Sequence, residues 1–503
     1  MERMPSIPVG RTHTGCRVMV IGLDGMTLKV LLPLAAAGKL PTFARLLQDG
    51  AHGVLRSVTN MATGPTWASF ATGCRPAKHG ILHDFHHHQD SYALRPTSGV
   101  DCRRAAFWEV ASRAGKTVIV LNVPHTYPAE PVNGVLLAGI DAPSERVPGF
   151  AHPPDIYRKL RKTAGDYIID CGLVSFVENG RVAEGAAAVE RETEGRTRAA
   201  EHFMSDLNWD LLVVVYSLPD VWQHYYWHTL GETGESTGRD LIHGGYELMD
   251  CHLARLLEHL PADGLVVLCS DHGFGPLTGT RDHLNHWLAT QGFLSYRETD
   301  QQRFVTGLAS AFLYQIRQRV DFRRRQQIMA SIPIVRRAVE TQLRMGGINW
   351  ESTQAYAALD HQELWLNLEG RQRLGCVAGG QAEPLAQQLK TALLDWRDGT
   401  TGQKHINAVH LWPYTQGRGH GHLAPDLLLE WNTSAAQQGL HPLLSGDHDP
   451  EGALIVAGPG ICPGPLQSNS LIDVAPLALR GLGIAVPESM DGRVPHGLFA
   501  GRG

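Results

Sequence analysis

Short apolar runs alternate with amphipathic segments along most of the chain, and that rhythm predicts an α/β fold. Arg17 to Gly25, RVMVIGLDG, reads as a buried strand whose carboxyl end presents Asp24. Lys116–Val123, Trp209–Tyr216, Leu265–Ser270 and Ala453–Gly458 repeat the pattern. Helices fit between them at Leu28–Ala37, Pro41–Leu47, Arg103–Ala114, Ala186–Ser205 and Tyr246–Leu260; Gly38 breaks the first and Pro41 suits the opening turn of the second. Asn122 to Pro154 is rich in Pro and Gly and is expected to form loops at the sheet edge. From Arg281 to Gly347 the rhythm stops. Gln302–Arg344 carries nine Arg against one Asp and one Glu, mixed with Phe304, Phe312, Tyr314 and Phe322, and predicts a helical insertion with a basic face. Residues 1–16 read as a flexible leader.

Polar residues cluster where the predicted strands end, and in α/β sheets ligands collect at the carboxyl ends of strands. Asp24 ends the first strand, and Asp271-His272-Gly273 ends the run at 265–270. After Trp209–Tyr216 come Asp220 and His224, four apart, which share a face if the segment is helical. The loop Ser445–Gly452 adds His448 ahead of the last strand. Each has a plain reading taken alone: a turn former at Asp24, an exposed i,i+4 pair at Asp220 and His224. Taken together they read as a site for two divalent metals. Thr63-Gly64-Pro65-Thr66-Trp67 breaks the chain ahead of a helix-compatible run, so a hydroxyl would sit at a helix N-terminus, where an anion is favoured. A capping Thr is the plain alternative. The His-rich HDFHHHQD around His86 reads as a surface loop, because consecutive imidazoles cannot all face one ion.

Composition narrows the classes. The 503 residues carry 43% apolar and 19% charged positions and a formal net charge of −5, which gives no general affinity for nucleic-acid polymers. Eight scattered cysteines without a CxxC pair suit a reducing compartment, and no apolar run reaches the ~20 residues of a membrane span. Both point to a cytoplasmic protein. For the basic stretch 302–344 the plain reading is a solvated helical face; a cap over an anionic substrate or peripheral contact with acidic lipid are the functional ones.

The motifs GLDGM (22–26), TGPTWASFATG (63–73), PAKHGI (76–81), LPDVWQH (218–224), SDHGF (270–274), APDLLLEW (424–431) and GDHDPEGALIVAGPGI (446–461) together resemble the type I phosphodiesterase/nucleotide pyrophosphatase family of the alkaline phosphatase superfamily. The resemblance spans roughly residues 17–295 and 348–497. It implies an alkaline-phosphatase-like α/β core at 17–280 and 348–503, a largely parallel central sheet between helical layers, and a helical cap at 281–347. It also implies one zinc-like ion on Asp24, Thr63, Asp271 and His272, and a second on Asp220, His224 and His448; manganese or iron would suit the same ligands. Thr63 would be the nucleophile, forming a covalent phosphothreonine that a second in-line step hydrolyses. The expected substrate is a small-molecule phosphate ester or nucleotide. Phosphomonoester, phosphonate and phosphotransfer chemistry are the neighbouring alternatives, and a non-catalytic docking module is a further one.

Two departures from the pattern stand out. Where the nucleotide pyrophosphatases place an Asn that donates to a phosphoryl oxygen, this chain has Asp84, which leaves the Gly64 N–H or the Thr66 hydroxyl as the expected donor. Cys74-Arg75-Pro76 looks like a sulfatase signature, but the position of the modified sulfatase cysteine is Thr63, so Cys74 is expected to be structural. His283, His286, His420 and His422 are candidate substrate contacts, with ordinary surface histidines the plainer reading.

Overall fold

A computed structural model describes residues 17–87, 92, 94–231, 237–277, 284–297, 347–357, 363–398, 402–411, 425–432 and 444–500. The five apolar runs lie in one ten-stranded sheet. Val18–Leu23 is central, parallel to Leu211–Tyr216 on one side and to Leu265–Cys269 on the other. Beyond Leu211–Tyr216 come Val118–Val123 and Gly134–Ala138, again parallel, then Ala151–His152. On the other flank Glu451–Ala457 runs antiparallel to both Leu265–Cys269 and Ala51–Arg56. The expected largely parallel sheet is therefore present, with Glu451–Ala457 reversed inside it and Ala151–His152 reversed at one edge.

The pleat sends alternate side chains to opposite faces. Met19, Ile21, Ile119, Leu121, Leu212 and Val214 pack on one face with Phe203 of the helix Val182–Asp206 and Leu253 of the helix Thr237–Leu257. Val18, Val20, Val118, Val120, Leu211 and Val213 pack on the other with Trp67 and Phe70 of the helix Thr63–Thr72 and Leu477 of the helix Val474–Gly481. Strands covered on both faces need no polar alternation, so they read as continuous apolar runs.

The stretch Asn122 to Pro154 differs from its expected loops, because Gly134–Ala138 is a buried parallel strand within it. Only GVLLA marks it, a run too short to stand out among the surrounding Pro and Gly. Ala51–Arg56 was hidden similarly, since His52 and Gly53 interrupt its apolar pattern.

A smaller antiparallel sheet, ordered Ala355–Tyr356, Glu363–Leu366, Leu427–Trp431, Ile406–Leu411, has its own core. Trp365, Tyr356, Leu389 of the helix Gly379–Asp395 and Leu288 of the helix Leu284–Thr290 fill it. The described ends of the expected insertion thus pack with residues 348–431 in one unit. The basic stretch 302–344, the leader 1–16, and His283, His420 and His422 lie outside the described residues. Among the described residues no single helix is long and apolar enough to cross a membrane.

Candidate active site

Parallel neighbours deliver their carboxyl ends to one edge. Asp24 follows Val18–Leu23, and Asp271-His272 follow the adjacent Leu265–Cys269. Asp220 opens the helix Asp220–Tyr226, just past the next strand, so His224 stands one turn further along the same face. His448 comes from the short strand Gly446–Asp449, which pairs antiparallel with Gly273–Pro276 and sets His448 opposite Phe274. Asp24, Asp271 and His272 form one group, and Asp220, His272 and His448 form another, with ligand atoms in each within 4.8 Å. His272 Nε2 is 3.4 Å from both Asp24 Oδ1 and Asp271 Oδ2. His224 Nε2 is 3.4 Å, and His448 Nε2 3.7 Å, from Asp220 Oδ1. His272 therefore lies between the two groups, where the resemblance assigned it to one.

All three imidazoles face inward through Nε2, because a backbone carbonyl takes each Nδ1. His224 meets Gly446 O at 3.3 Å, His272 meets Gly273 O at 3.0 Å, and His448 meets Met61 O at 2.9 Å. A proton on Nδ1 leaves a lone pair on Nε2, the arrangement that suits metal ligation. His224 Nε2 and His448 Nε2 are 3.2 Å apart beside Asp220, so two lone pairs and a carboxylate converge unless a proton or cation lies between. Buried Asp220 Oδ1 and Asp271 Oδ1 have no hydrogen-bond donor in place. Burial and the neighbouring carboxylates Asp271 and Asp220 push the Asp24 carboxyl well up. Burial, with Asp220, likewise raises Asp271, although His272 opposes it. Burial would lower His224, but Asp220 outweighs it and holds the imidazole up to about 9. Burial and the facing His272 and His224 push His448 well down. Asp24 and Asp271 raised by burial and neighbouring carboxylates, orphaned oxygens and inward-facing Nε2 atoms fit divalent cations on these residues.

The helix Thr63–Thr72 begins beside this cluster, with Ala62 as its cap and Thr63 partly exposed at its first position. Thr66 is buried, its Oγ1 3.0 Å from Asp271 Oδ2 and 3.1 Å from Thr63 O, which ties the opening turn to the acids. The Gly64 N–H donates to Asp84 Oδ1 at 2.6 Å. Trp67 is fully buried against the central strand, where a Cβ on Gly22 would come within 2.7 Å of its ring. Cys74 is buried, with Sγ near Thr72 O and Ser489 O, and burial pushes its thiol up. His286 is exposed on its helix.

Three residues at this turn escaped the sequence reading. Asn60 Oδ1 accepts the Ala62 N–H at 3.0 Å, while its Nδ2 donates to Leu82 O at 2.8 Å and to Glu363 Oε1 of the small sheet. Glu363 is buried and its Oε2 also meets His83 Nδ1 at 3.0 Å. One carboxylate thus holds both segments that flank the opening turn. His125 sits over the same turn, its Nε2 3.9 Å from Asp84 Oδ1. A Gly64 Cβ would lie 2.7 Å from that nitrogen. His125 did carry a signal, standing two residues past the strand Val118–Val123; Asn60 and Glu363 carried none that tied them to this turn.

A largely parallel sheet between helical layers, with acids and imidazoles gathered at its strand ends, gives an alkaline-phosphatase-like fold. Phosphonoacetate hydrolase from Sinorhizobium meliloti 1021, in complex with phosphonoformate, shares the fold with a TM-score of 0.53 and 16% identity over 96% of this chain and 100% of that one. Human ectonucleotide pyrophosphatase / phosphodiesterase 5 gives 0.50 and 13%, over 95% and 97%. No curated protein matches the chain in sequence. Residues 18–435 match the type I phosphodiesterase / nucleotide pyrophosphatase family, and the chain belongs to it.

Proposed function

We propose that this chain hydrolyses phosphate esters or phosphoanhydrides, as a phosphodiesterase or nucleotide pyrophosphatase, with Thr63 as nucleophile and two divalent cations. Asp24, Asp271 and His272 would hold one cation beside Thr63, and Asp220, His224 and His448 the other. When bound, such ions stabilise charge on the attacking and leaving oxygens of an in-line displacement. The observation that carries this reading is the convergence of three inward-facing Nε2 atoms with three carboxylates at the start of the Thr63 helix.

The residues then have separate tasks. The Thr63 hydroxyl loses its proton to solvent and its oxygen attacks phosphorus; the Thr63–phosphorus bond forms as the bond to the leaving alkoxide or phosphate breaks, and the leaving alkoxide takes a proton from water. Water cleaves that phosphothreonine in a second displacement, returning the hydroxyl. Thr66 fixes the orientation of Asp271 through their 3.0 Å contact. Thr63→Ala is expected to lower turnover by at least about 10³-fold while leaving the thermal melt unchanged. Metal analysis of the purified protein is expected to return about two ions per chain, with zinc as our first choice. Relative rates on bis(p-nitrophenyl) and mono-p-nitrophenyl phosphate separate diester from monoester chemistry. Undiminished activity in Thr63→Ala would overturn the mechanism.

A further inference from the structure

We propose that His125 holds the phosphoryl group of the substrate, its Nε2–H donating to a non-bridging oxygen that the cations leave free. The inference rests on the hydrolase reading and adds to it a catalytic residue that the resemblance does not assign.

A helix start normally offers unpaired N–H groups to an anion. Here the two donors expected from the sequence are already engaged. The Gly64 N–H donates to Asp84 Oδ1 at 2.6 Å. The Thr66 hydroxyl is fully buried and has a single proton, with Ala62 O, Thr63 O and Asp271 Oδ2 all within 3.1 Å of its oxygen. The Ala62 N–H goes to Asn60 Oδ1, the Thr66 N–H returns to Ala62 O, and Pro65 has none. The Thr63 N–H remains, and a second donor must come from outside the helix.

The imidazole of His125 meets that need. Its Nε2 lies over the opening turn, so near Gly64 that a Cβ there would fall 2.7 Å from it. At 3.9 Å from Asp84 Oδ1 it makes no hydrogen bond, and the buried Nδ1 has no partner either. Buried polar atoms are otherwise paired, so a ring only 6% exposed, with both nitrogens open over the Thr63 turn, is placed for a ligand group. A proton on Nδ1 would be a buried donor without an acceptor, so the ring carries it on Nε2.

The loop is built to hold the ring there. His125 has φ 61°, a left-handed conformation uncommon for a side chain of its size. Asp141, just past the strand Gly134–Ala138, accepts the N–H groups of His125 and Tyr127, each at 2.9 Å. Thr126 Oγ1 donates to Val123 O at 2.6 Å and accepts the Gly139 N–H at 3.1 Å. Backbone kept in a sparsely populated conformation by its surroundings is a mark of functional sites.

The test compares wild type with His125→Leu, which fills the space without a donor, and His125→Gln, which restores an N–H near the place of Nε2. For the zinc-loaded proteins, kcat on bis(p-nitrophenyl) phosphate is expected to fall about 10²-fold in the Leu variant, with a smaller change in KM, and to recover at least about tenfold in the Gln variant. The affinity for inorganic phosphate, read by titration calorimetry, is expected to fall and recover in the same order, while zinc content and melting temperature keep their wild-type values. His125→Phe serves the same comparison should the Leu variant melt early. A Leu variant within about twofold of wild type in both readings, a Gln variant no better than Leu, or a wild type that binds no phosphate overturns the proposal. If no protein turns over any ester, the hydrolase reading fails on its own account, and the phosphate affinities still decide the role of His125.

Discussion

His79 is buried inside the motif PAKHG and belongs to neither candidate ligand group. The Ile81 N–H meets its Nδ1 at 3.1 Å, so Nε2 carries the proton and donates to Ser69 Oγ at 2.9 Å. Burial, with the nearby His125, pushes it down to about 3. The sign of the pH effect follows. Below about 6.5 the unfolded chain binds a proton that the folded chain refuses, so stability is complete above 6.5 and is lost as pH falls toward 3. Urea unfolding is expected to lose about 2 kcal/mol between pH 6.5 and 4.5 through this group, and His79→Gln to flatten that part of the profile. Residues of this kind explain what the sequence could and could not reveal. Asp24 and Asp271 stood out because each ends an apolar run. His448 stood out in a loop rich in acids ahead of a strand, whereas only the fold shows His79 to be a capped core imidazole and His125 to lie over the Thr63 turn.

Elements place these residues through close fits. The central strand meets the Thr63–Thr72 helix at Gly22, where a Cβ would fall 2.7 and 2.9 Å from Trp67 ring atoms and 3.0 Å from Val215. Gly22→Ala is expected to destabilise the fold by about 1–3 kcal/mol and to lower kcat, because the displaced ring belongs to the helix that starts at Thr63. A melt together with steady-state kinetics checks both. Glu363→Ala removes the partner shared by buried Asn60 and His83. We expect about 3 kcal/mol of lost stability and a fall in kcat greater than any rise in KM, with Glu363→Gln recovering part of each. The central strands were legible because both their faces are covered. The tie at Glu363 was not, since the residues it joins are about 300 positions apart in sequence.

The whole molecule gathers its candidate ligands from segments near residues 24, 220, 271 and 448. An unfolded chain cannot present them together, so cations that bind the folded state stabilise it by mass action. Chelation is expected to lower the melting temperature of the purified protein, by an amount equivalent to about 4 kcal/mol at a thousand times Kd, and zinc to restore it. A melting temperature that ignores chelator would mean these groups hold no ion. The scale of the assembly also limits a sequence reading: the apolar rhythm announced the large sheet, whereas the small one shows as brief strands such as ELWL, with no comparable period.

The hold of the small sheet on Asn60 and His83 has a bearing on inhibition. A compound wedged along the seam near Glu363 need not reach phosphorus or displace an ion to stop the reaction. On the proposed mechanism, prising that carboxylate away is expected to shift the turn that carries Thr63. The seam therefore offers a target shaped by the contacts among Asn60, His83 and Glu363, apart from the charged pocket.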